Sequence, residues 1–203
     1  MKKVKGLFAF EGIGGSGKST QAEMLARAFR QNHSDVLLTC EHTRDRPFGM
    51  RIEEVIKGKV GKVDLLALQL GYTADRRDHW AGDVEPVVSR GGIVVTDRWY
   101  GSTVAYISPD YRELLLQTNQ AVVGRPELTF IVDLDPVTAV ARVYGRGGED
   151  MFDKIETLNR CREGYRWFME KSGDECVWIN GQMSIEEIHG QIMEEIKRRG
   201  ILK

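Results

Sequence analysis

Two hydrophobic patterns alternate along the whole chain. Short runs rich in β-branched and aromatic residues, at 4–10, 36–39, 92–96, 128–134 and 176–179, have the length and composition of buried strands. Between them apolar positions recur at helical spacing over 17–31, about 48–57, 63–80, 82–90, 110–121, 136–143, 152–171 and 184–198. Alternation of this kind predicts an α/β fold, a parallel, doubly wound sheet of five strands with helices on both faces. Ligands bind such sheets beyond the carboxyl ends of the strands, so the residues just after each apolar run are the ones that carry chemistry. No repeat, low-complexity tract or linker divides the pattern, and it predicts one domain over 1–203. The stretch Gly145-Arg-Gly-Gly-Glu149 is the one loop with the composition of a mobile flap.

The first strand runs into Gly12-Ile-Gly14-Gly15-Ser16-Gly17-Lys18-Ser19-Thr20 and then into a helix. In a Gly-x4-Gly-Lys-Ser loop between strand and helix, successive N–H groups turn inward and cradle a polyphosphate. The lysine reaches the β- and γ-phosphates, the serine hydroxyl is placed to ligate Mg²⁺, and the helix aims its positive end at the same group. Gly12, Gly14, Gly15, Ser16, Gly17, Lys18, Ser19 and Thr20 are therefore the expected triphosphate-binding set. This loop implies a bound nucleoside triphosphate and leaves its fate open.

The third strand ends Thr96-Asp97-Arg98-Trp99-Tyr100. An aspartate at a strand tip beside a phosphate loop can hold Mg²⁺ or accept a proton, and an adjacent arginine offers a planar fork to a phosphate. Asp97-Arg98 could also be a helix cap with a surface ion pair. Further arginines follow the second strand (Arg44, Arg46, Arg51), lie in Tyr72-Thr-Ala-Asp-Arg76-Arg77, and flank the flap (Arg142, Arg146). Arginines are usually solvated, but phosphoryl transfer between two nucleotides needs them on both sides of the migrating group, and a closing flap excludes water.

Composition narrows the picture. A hydrophobic fraction of 41% and a charged fraction of 29% are those of a globular protein, and a formal net charge of −1 argues against an electrostatic grip on nucleic acid. Cys40, Cys161 and Cys176 are scattered and lack metal-ligand spacing, which reads as free thiols in a reducing compartment. The run after the basic start is too short for an export signal and no stretch approaches a membrane span, so the expectation is a cytoplasmic protein with no membrane partner. The four histidines are unclustered; His79 is expected to hydrogen-bond locally.

Five pieces in order resemble the thymidylate kinase family of nucleoside monophosphate kinases, from Phe8 to about Phe168. They are Phe10-Glu-Gly-x4-Gly-Lys-Ser-Thr-Gln21, Tyr72-x-Ala-Asp-Arg76, Asp97-Arg-Trp-x-x-Ser102-x3-Tyr106, Arg125-Pro-Glu-Leu-Thr-x-x-Val-Asp-Leu-Asp-Pro136, and Arg142-x3-Arg146-x3-Asp150-x-Phe152-Asp153. The resemblance implies a three-layer P-loop NTPase fold with a small lid over about 142–153, and transfer of the γ-phosphoryl group of ATP to dTMP with Mg²⁺. It implies that Lys18 and Ser19 serve the triphosphate and metal, that Asp97 assists metal or acceptor, and that Arg98 holds the acceptor phosphate. Tyr72 would stack on the base, Arg76 would bond its carbonyl edge, and Tyr106 would crowd the 2′ position. Glu41, Arg51 and Ser102 fall with the acceptor set, although which of Arg44, Arg46 and Arg51 meets the phosphate is open. Arg142 and Arg146 would close over the phosphates, and a homodimer through 63–80 and 110–121 is implied.

Several positions depart from the family pattern, among them His42 after Glu41, where many members have proline, and Trp99, where the family has tyrosine. Gly14 stands where an acidic residue is usual, Ile107 where a glutamine is, Met151 where an arginine is common, and Gly15 where some members carry a catalytic arginine, so the lid would supply the charge. These leave the reaction class intact and admit another or a broader set of deoxynucleoside monophosphates. A deoxynucleoside kinase, a nucleotide-driven switch or motor, and a non-enzymatic nucleotide-binding protein are the alternatives. The chain has no Asn-Lys-x-Asp guanine-reading motif and no adjacent acidic pair closing an apolar strand, which weigh against a switch and a motor.

Overall fold

A computed structural model describes residues 3–145, 152 and 154–202. The strands β1 (Lys3–Glu11), β2 (Val36–Cys40), β3 (Ile93–Asp97), β4 (Arg125–Asp133) and β5 (Cys176–Asn180) form one sheet in the order β2-β3-β1-β4-β5, every pair parallel. The expected strands are all present; β4 begins at Arg125 rather than Leu128. Its early residues pair with the start of β1 across a register shift between Val4 and Phe8, where the Glu127 carboxylate accepts the Gly6 N–H at 2.7 Å. A local polar bond of that kind carries no hydrophobic signal, so the periodicity did not extend the strand.

The period-2 alternation of β1 divides the core. Phe8 and Phe10 join Val95, Phe130 and Val132 on one face under α1 (Lys18–Arg30) and α9 (Ile185–Arg198). Leu7 and Ala9 join Val94 and Ile131 on the other, under α4 (Glu85–Ser89), α5 (Tyr100–Ala105), α6 (Arg112–Val122) and α8 (Ile155–Lys171). Burying both faces is what lets an all-parallel sheet read as near-continuous apolar runs. A capping box starts α9, the Ser184 hydroxyl bonding the Glu187 N–H and the Glu187 carboxylate bonding back.

Two helical features were not read from the sequence. The short α5 is one; Gly101 and Ser102 interrupt any apolar period there. The other is the join between α3 (Leu65–His79) and α4, a π-helical turn over Trp80–Val84 rather than a break. Arg46 lies flat against this turn, paired with Asp78 and Asp83, and a Cβ on Gly82 would meet its guanidinium at 2.1 Å. Two more helices, α2 (Pro47–Ile56) and α7 (Pro136–Tyr144), start with proline at their first turn, where a missing N–H costs nothing.

Candidate active site

The loop 12–17 links the tip of the central strand β1 to α1. Gly15 is held at φ 76°, and a Cβ there would meet the Ala139 carbonyl of α7 at 2.5 Å, so the loop can sit this close to its neighbour only as glycine. Lys18 opens α1, 6% exposed, with its ammonium donating to the Ile13 carbonyl at 3.3 Å. The geometry is that of a lysine laid back over a main-chain cradle.

Beside it, β3 places Asp97 level with Phe10 of β1 and Cys40 of β2. The Ser19 hydroxyl bonds Asp97 Oδ2, while Asp97 Oδ1 is buried with no hydrogen-bond partner among the described residues. An orphaned carboxylate oxygen next to a loop serine fits a hard cation that takes oxygen ligands. Among the described residues no three His, Cys, Asp or Glu side chains gather to hold a metal unaided. A cation here would need further oxygens from a ligand, as Mg²⁺ on a nucleotide has.

Arg98 follows at φ 73°, the left-handed region, and is the one non-glycine residue at positive φ among those described. Such a conformation costs on the order of 1–3 kcal/mol and persists only where neighbours fix it. The Arg98 N–H donates to Phe10 O at 2.8 Å and Thr96 Oγ1 to Arg98 O at 2.8 Å. The guanidinium turns toward the loop, bonding Gly12 O at 3.1 Å and Ser102 Oγ at 2.9 Å, with the Tyr106 ring 5.5 Å away.

Glu11 supports this turn and was not singled out from the sequence; an acidic residue closing an apolar strand was the available signal. It is fully buried and accepts from the Trp99 and Ser102 N–H groups at 3.0 Å each, from the Ser102 hydroxyl at 2.5 Å and from Tyr165 at 3.3 Å. Burial pushes its carboxyl up to about 7, against the hydrogen bond from Ser102 and the charge of Arg98, which pull it down.

A cavity of about 470 Å³ opens from the loop and joins Lys18, Ser19, Asp97 and Arg98 to Glu41, Tyr72, Arg76, Ser102 and Tyr106. Phe152 and Val143 line its outer side, the Phe152 ring edge-on to Tyr106 at 5.3 Å. Arg142 reaches the loop at Gly15 O, 3.5 Å away. Arg146, Asp150 and Asp153 lie outside the described residues.

The acceptor-side residues meet in ways the sequence did not show. Arg76 lines the cavity but is 1% exposed, its fork turned inward to Glu41, to Thr103 at 3.1 Å, to Asn119 at 2.6 Å and to the Trp99 carbonyl at 3.3 Å. Expected to bond the carbonyl edge of a base, it keeps one Nη2 hydrogen outside these bonds. Glu41, expected beside substrate, bonds Arg76 and His79, and His79 also meets Thr39 at 2.9 Å. Tyr72 stands at the cavity with His42 edge-on at 5.7 Å, and His42 bonds Glu53 at 2.7 Å.

Arg51, expected with the acceptor set, lies away from the cavity. Its side chain is 67% exposed, bonds Glu54 of its own helix and does not line the cavity. The inward face of α2 carries Gly49 and Ile52, with Glu53 and Ile56 on the cavity side, which turns Arg51 to solvent. Arg46 is committed to the π turn, and Arg44 is the arginine of this segment that lines the cavity. Cys40, at the same rim, keeps a thiol that burial pushes up.

A main-chain phosphate cradle, an Asp-Arg strand tip and an aromatic–arginine wall around one cleft define a P-loop nucleotide kinase. A family model described as thymidylate kinase matches residues 10–192. The chain is 36% identical over 202 residues to the thymidylate kinase of Ruegeria pomeroyi, covering 93% of each, and 35% identical over 202 residues to a probable thymidylate kinase of Pyrococcus abyssi, covering 96% of this chain and 97% of that protein. The crystal structure of thymidylate kinase from Ehrlichia chaffeensis matches the fold with a TM-score of 0.74 at 26% identity, over 94% of this chain and 97% of that one. The chain belongs to the thymidylate kinase family, whose reaction is the ATP-dependent phosphorylation of dTMP to dTDP.

Proposed function

We propose that the reaction runs within the single cleft that spans the phosphate loop and the α3–α5 wall, in one kinase domain whose lid covers about 142–153. The observation that carries the reading is the continuity of that cavity, which sets Lys18 and Ser19 at one end and Tyr72 and Tyr106 at the other. An acceptor phosphate oxygen attacks Pγ of ATP as the bond from Pγ to the β,γ-bridging oxygen breaks, and ADP leaves with that electron pair. Nothing on the protein becomes covalently modified, so its contribution is positioning and charge.

In this reading the loop N–H groups and Lys18 hold the triphosphate and Arg98 holds the acceptor phosphate, with Arg44 in the place expected of Arg51. Ser19 and Asp97 would hold Mg²⁺, which supplies charge neutralisation on the phosphates when bound. Tyr72 stacks on the base, Tyr106 packs on the sugar, and Arg142 with Arg146 closes over the transferring group and excludes water. A homodimer is supported by apolar surface left on two adjoining helices, Leu65 and Leu70 of α3 and Leu114 of α6, which are 36%, 42% and 49% exposed. The family and the free cysteines favour the cytoplasm. No helix among the described residues is long and apolar enough to cross a membrane.

ADP release with ATP, Mg²⁺ and each of dTMP, dUMP, dCMP, dGMP, dAMP and thymidine tests the reading. Turnover is expected with dTMP and not thymidine, and Lys18→Ala is expected to lower kcat by roughly 10²–10³, the usual loss of a transition-state charge donor. Turnover of thymidine alone would make the protein a nucleoside kinase, and silence with every monophosphate would end the kinase reading.

A further inference from the structure

The cavity wall contributed by α3 presents Gln69, Tyr72 and Arg76, at i, i+3 and i+7, on one face of the helix. Gln69 is only 2% exposed, yet its carboxamide forms no hydrogen bond among the described residues. Its backbone carbonyl is taken by the Thr73 hydroxyl at 3.0 Å, so the free polar group is the side chain alone. The carboxamide is not among the fully buried orphan atoms, so the polar end keeps its slight exposure toward the cavity it lines, where a ligand group can reach it.

The neighbouring polar groups are already engaged. Arg76 is bonded to Glu41, Thr103, Asn119 and Trp99, Thr73 takes an N–H of Asn119 at 3.1 Å, and Asp75 accepts from Thr43. Arg76 can only donate. The carboxylates on this side are tied up, Glu41 with Arg76 and His79, Glu53 with His42 and Lys57. A base whose edge carries an N–H between two carbonyls needs one neutral acceptor beside its donors, and Gln69 supplies an acceptor and a donor in one plane.

We infer that Gln69 reads the Watson–Crick edge of the acceptor base, its oxygen accepting the N3–H of thymine or uracil while its NH₂ donates to a flanking carbonyl. The inference rests on the dTMP kinase reading and adds a specificity residue to it. With a carbonyl held by Arg76, the Gln69 oxygen makes the imide pattern the favoured one, and cytosine, which has no N3–H, leaves it unmet.

The test uses wild type and Gln69→Leu, with Gln69→Glu as a second variant that keeps the acceptor oxygen. Each is assayed for KM and kcat with dTMP, dUMP and N3-methyl-dTMP, and for KM of ATP and Tm. Wild type should reject N3-methyl-dTMP relative to dTMP. Gln69→Leu should raise the KM for dTMP by about tenfold or more, narrow the methyl discrimination, leave the KM for ATP unchanged and not lower Tm. Gln69→Glu should retain more of the discrimination than Leu. If wild type turns over dTMP but both variants keep its dTMP to N3-methyl-dTMP ratio, the inference fails alone. If wild type turns over no monophosphate, the kinase reading fails and takes the inference with it.

Discussion

The donor and acceptor ends of the cleft recognise their ligands by different means. At the donor end the contacts come from the main chain of residues 12–19, and the glycines set its conformation; Lys18 and Ser19 are contiguous with it. At the acceptor end the proposed recognising groups are side chains on α3 and on the segments after β2, β3 and α5, several of them bonded into a network with no ligand present. Arg76 alone meets partners 35, 27 and 43 residues away. Main-chain recognition has to be written in one short stretch of sequence, whereas side-chain recognition can be assembled from anywhere the fold brings together.

The sharpest way to break this comparison is Arg76→Leu. Arg76 and Glu41 are 1% and 2% exposed at their side chains, so removing the cation leaves a buried carboxylate with His79 as its remaining side-chain partner among the contacts described. The expected loss of stability is about 3–5 kcal/mol, read by urea unfolding, with Thr103 and Asn119 losing their partner as well. A shift of only a few tenths would mean that the acceptor wall is assembled by substrate rather than preformed.

The same contrast explains what could be read from the chain. The phosphate loop, the order of strands and helices, and the Asp97-Arg98 tip were legible because each is a local pattern: a glycine spacing, a period of two or 3.6, a polar pair closing an apolar run. The outward turn of Arg51 was hidden because its helical phase depends on which face of α2 meets α3, and apolar residues fall on more than one face of that helix. Gln69 was passed over because one glutamine within an amphipathic helix has no sequence signature; only its place on the cavity wall, with no side-chain bond among the described residues, distinguishes it. The inward turn of Arg76 was hidden for a related reason, since Asn119 and Thr103 are unremarked polar residues until the fold sets them beside it.

Glu11 sharpens the comparison from the donor side, where its side-chain network stands behind the loop. Its carboxyl rises from 4.5 to about 7 through burial, so the native state holds its proton where the unfolded chain has released it. A raised carboxyl contributes its full stability below the unfolded value, loses it as pH rises between about 4.5 and 7, and has lost on the order of 3 kcal/mol above that. Glu11→Gln stays neutral and still offers an oxygen to the Trp99 and Ser102 N–H groups. The variant should therefore match wild type near pH 4.5 and exceed it at pH 8, measured as urea midpoints across that range. Parallel profiles for the two proteins would show that Arg98 keeps Glu11 ionised throughout.

The smallest effect asked of the molecule separates two arginines seven residues apart. Arg44 lines the cavity beside Asp97, whereas Arg51 points to solvent in an ion pair with Glu54, an interaction of little weight in water. Arg44→Ala should raise the KM for dTMP by about tenfold, the cost of one charged contact to a phosphate, while the KM for ATP stays put. Arg51→Ala should leave both within about twofold. The reverse result would mean that α2 rotates when substrate binds, carrying Arg51 inward. Equal and negligible changes would leave Arg98 and Lys18 as the cations answering the acceptor phosphate, and would make this end of the cleft depend, like the other, on residues contiguous with a strand tip.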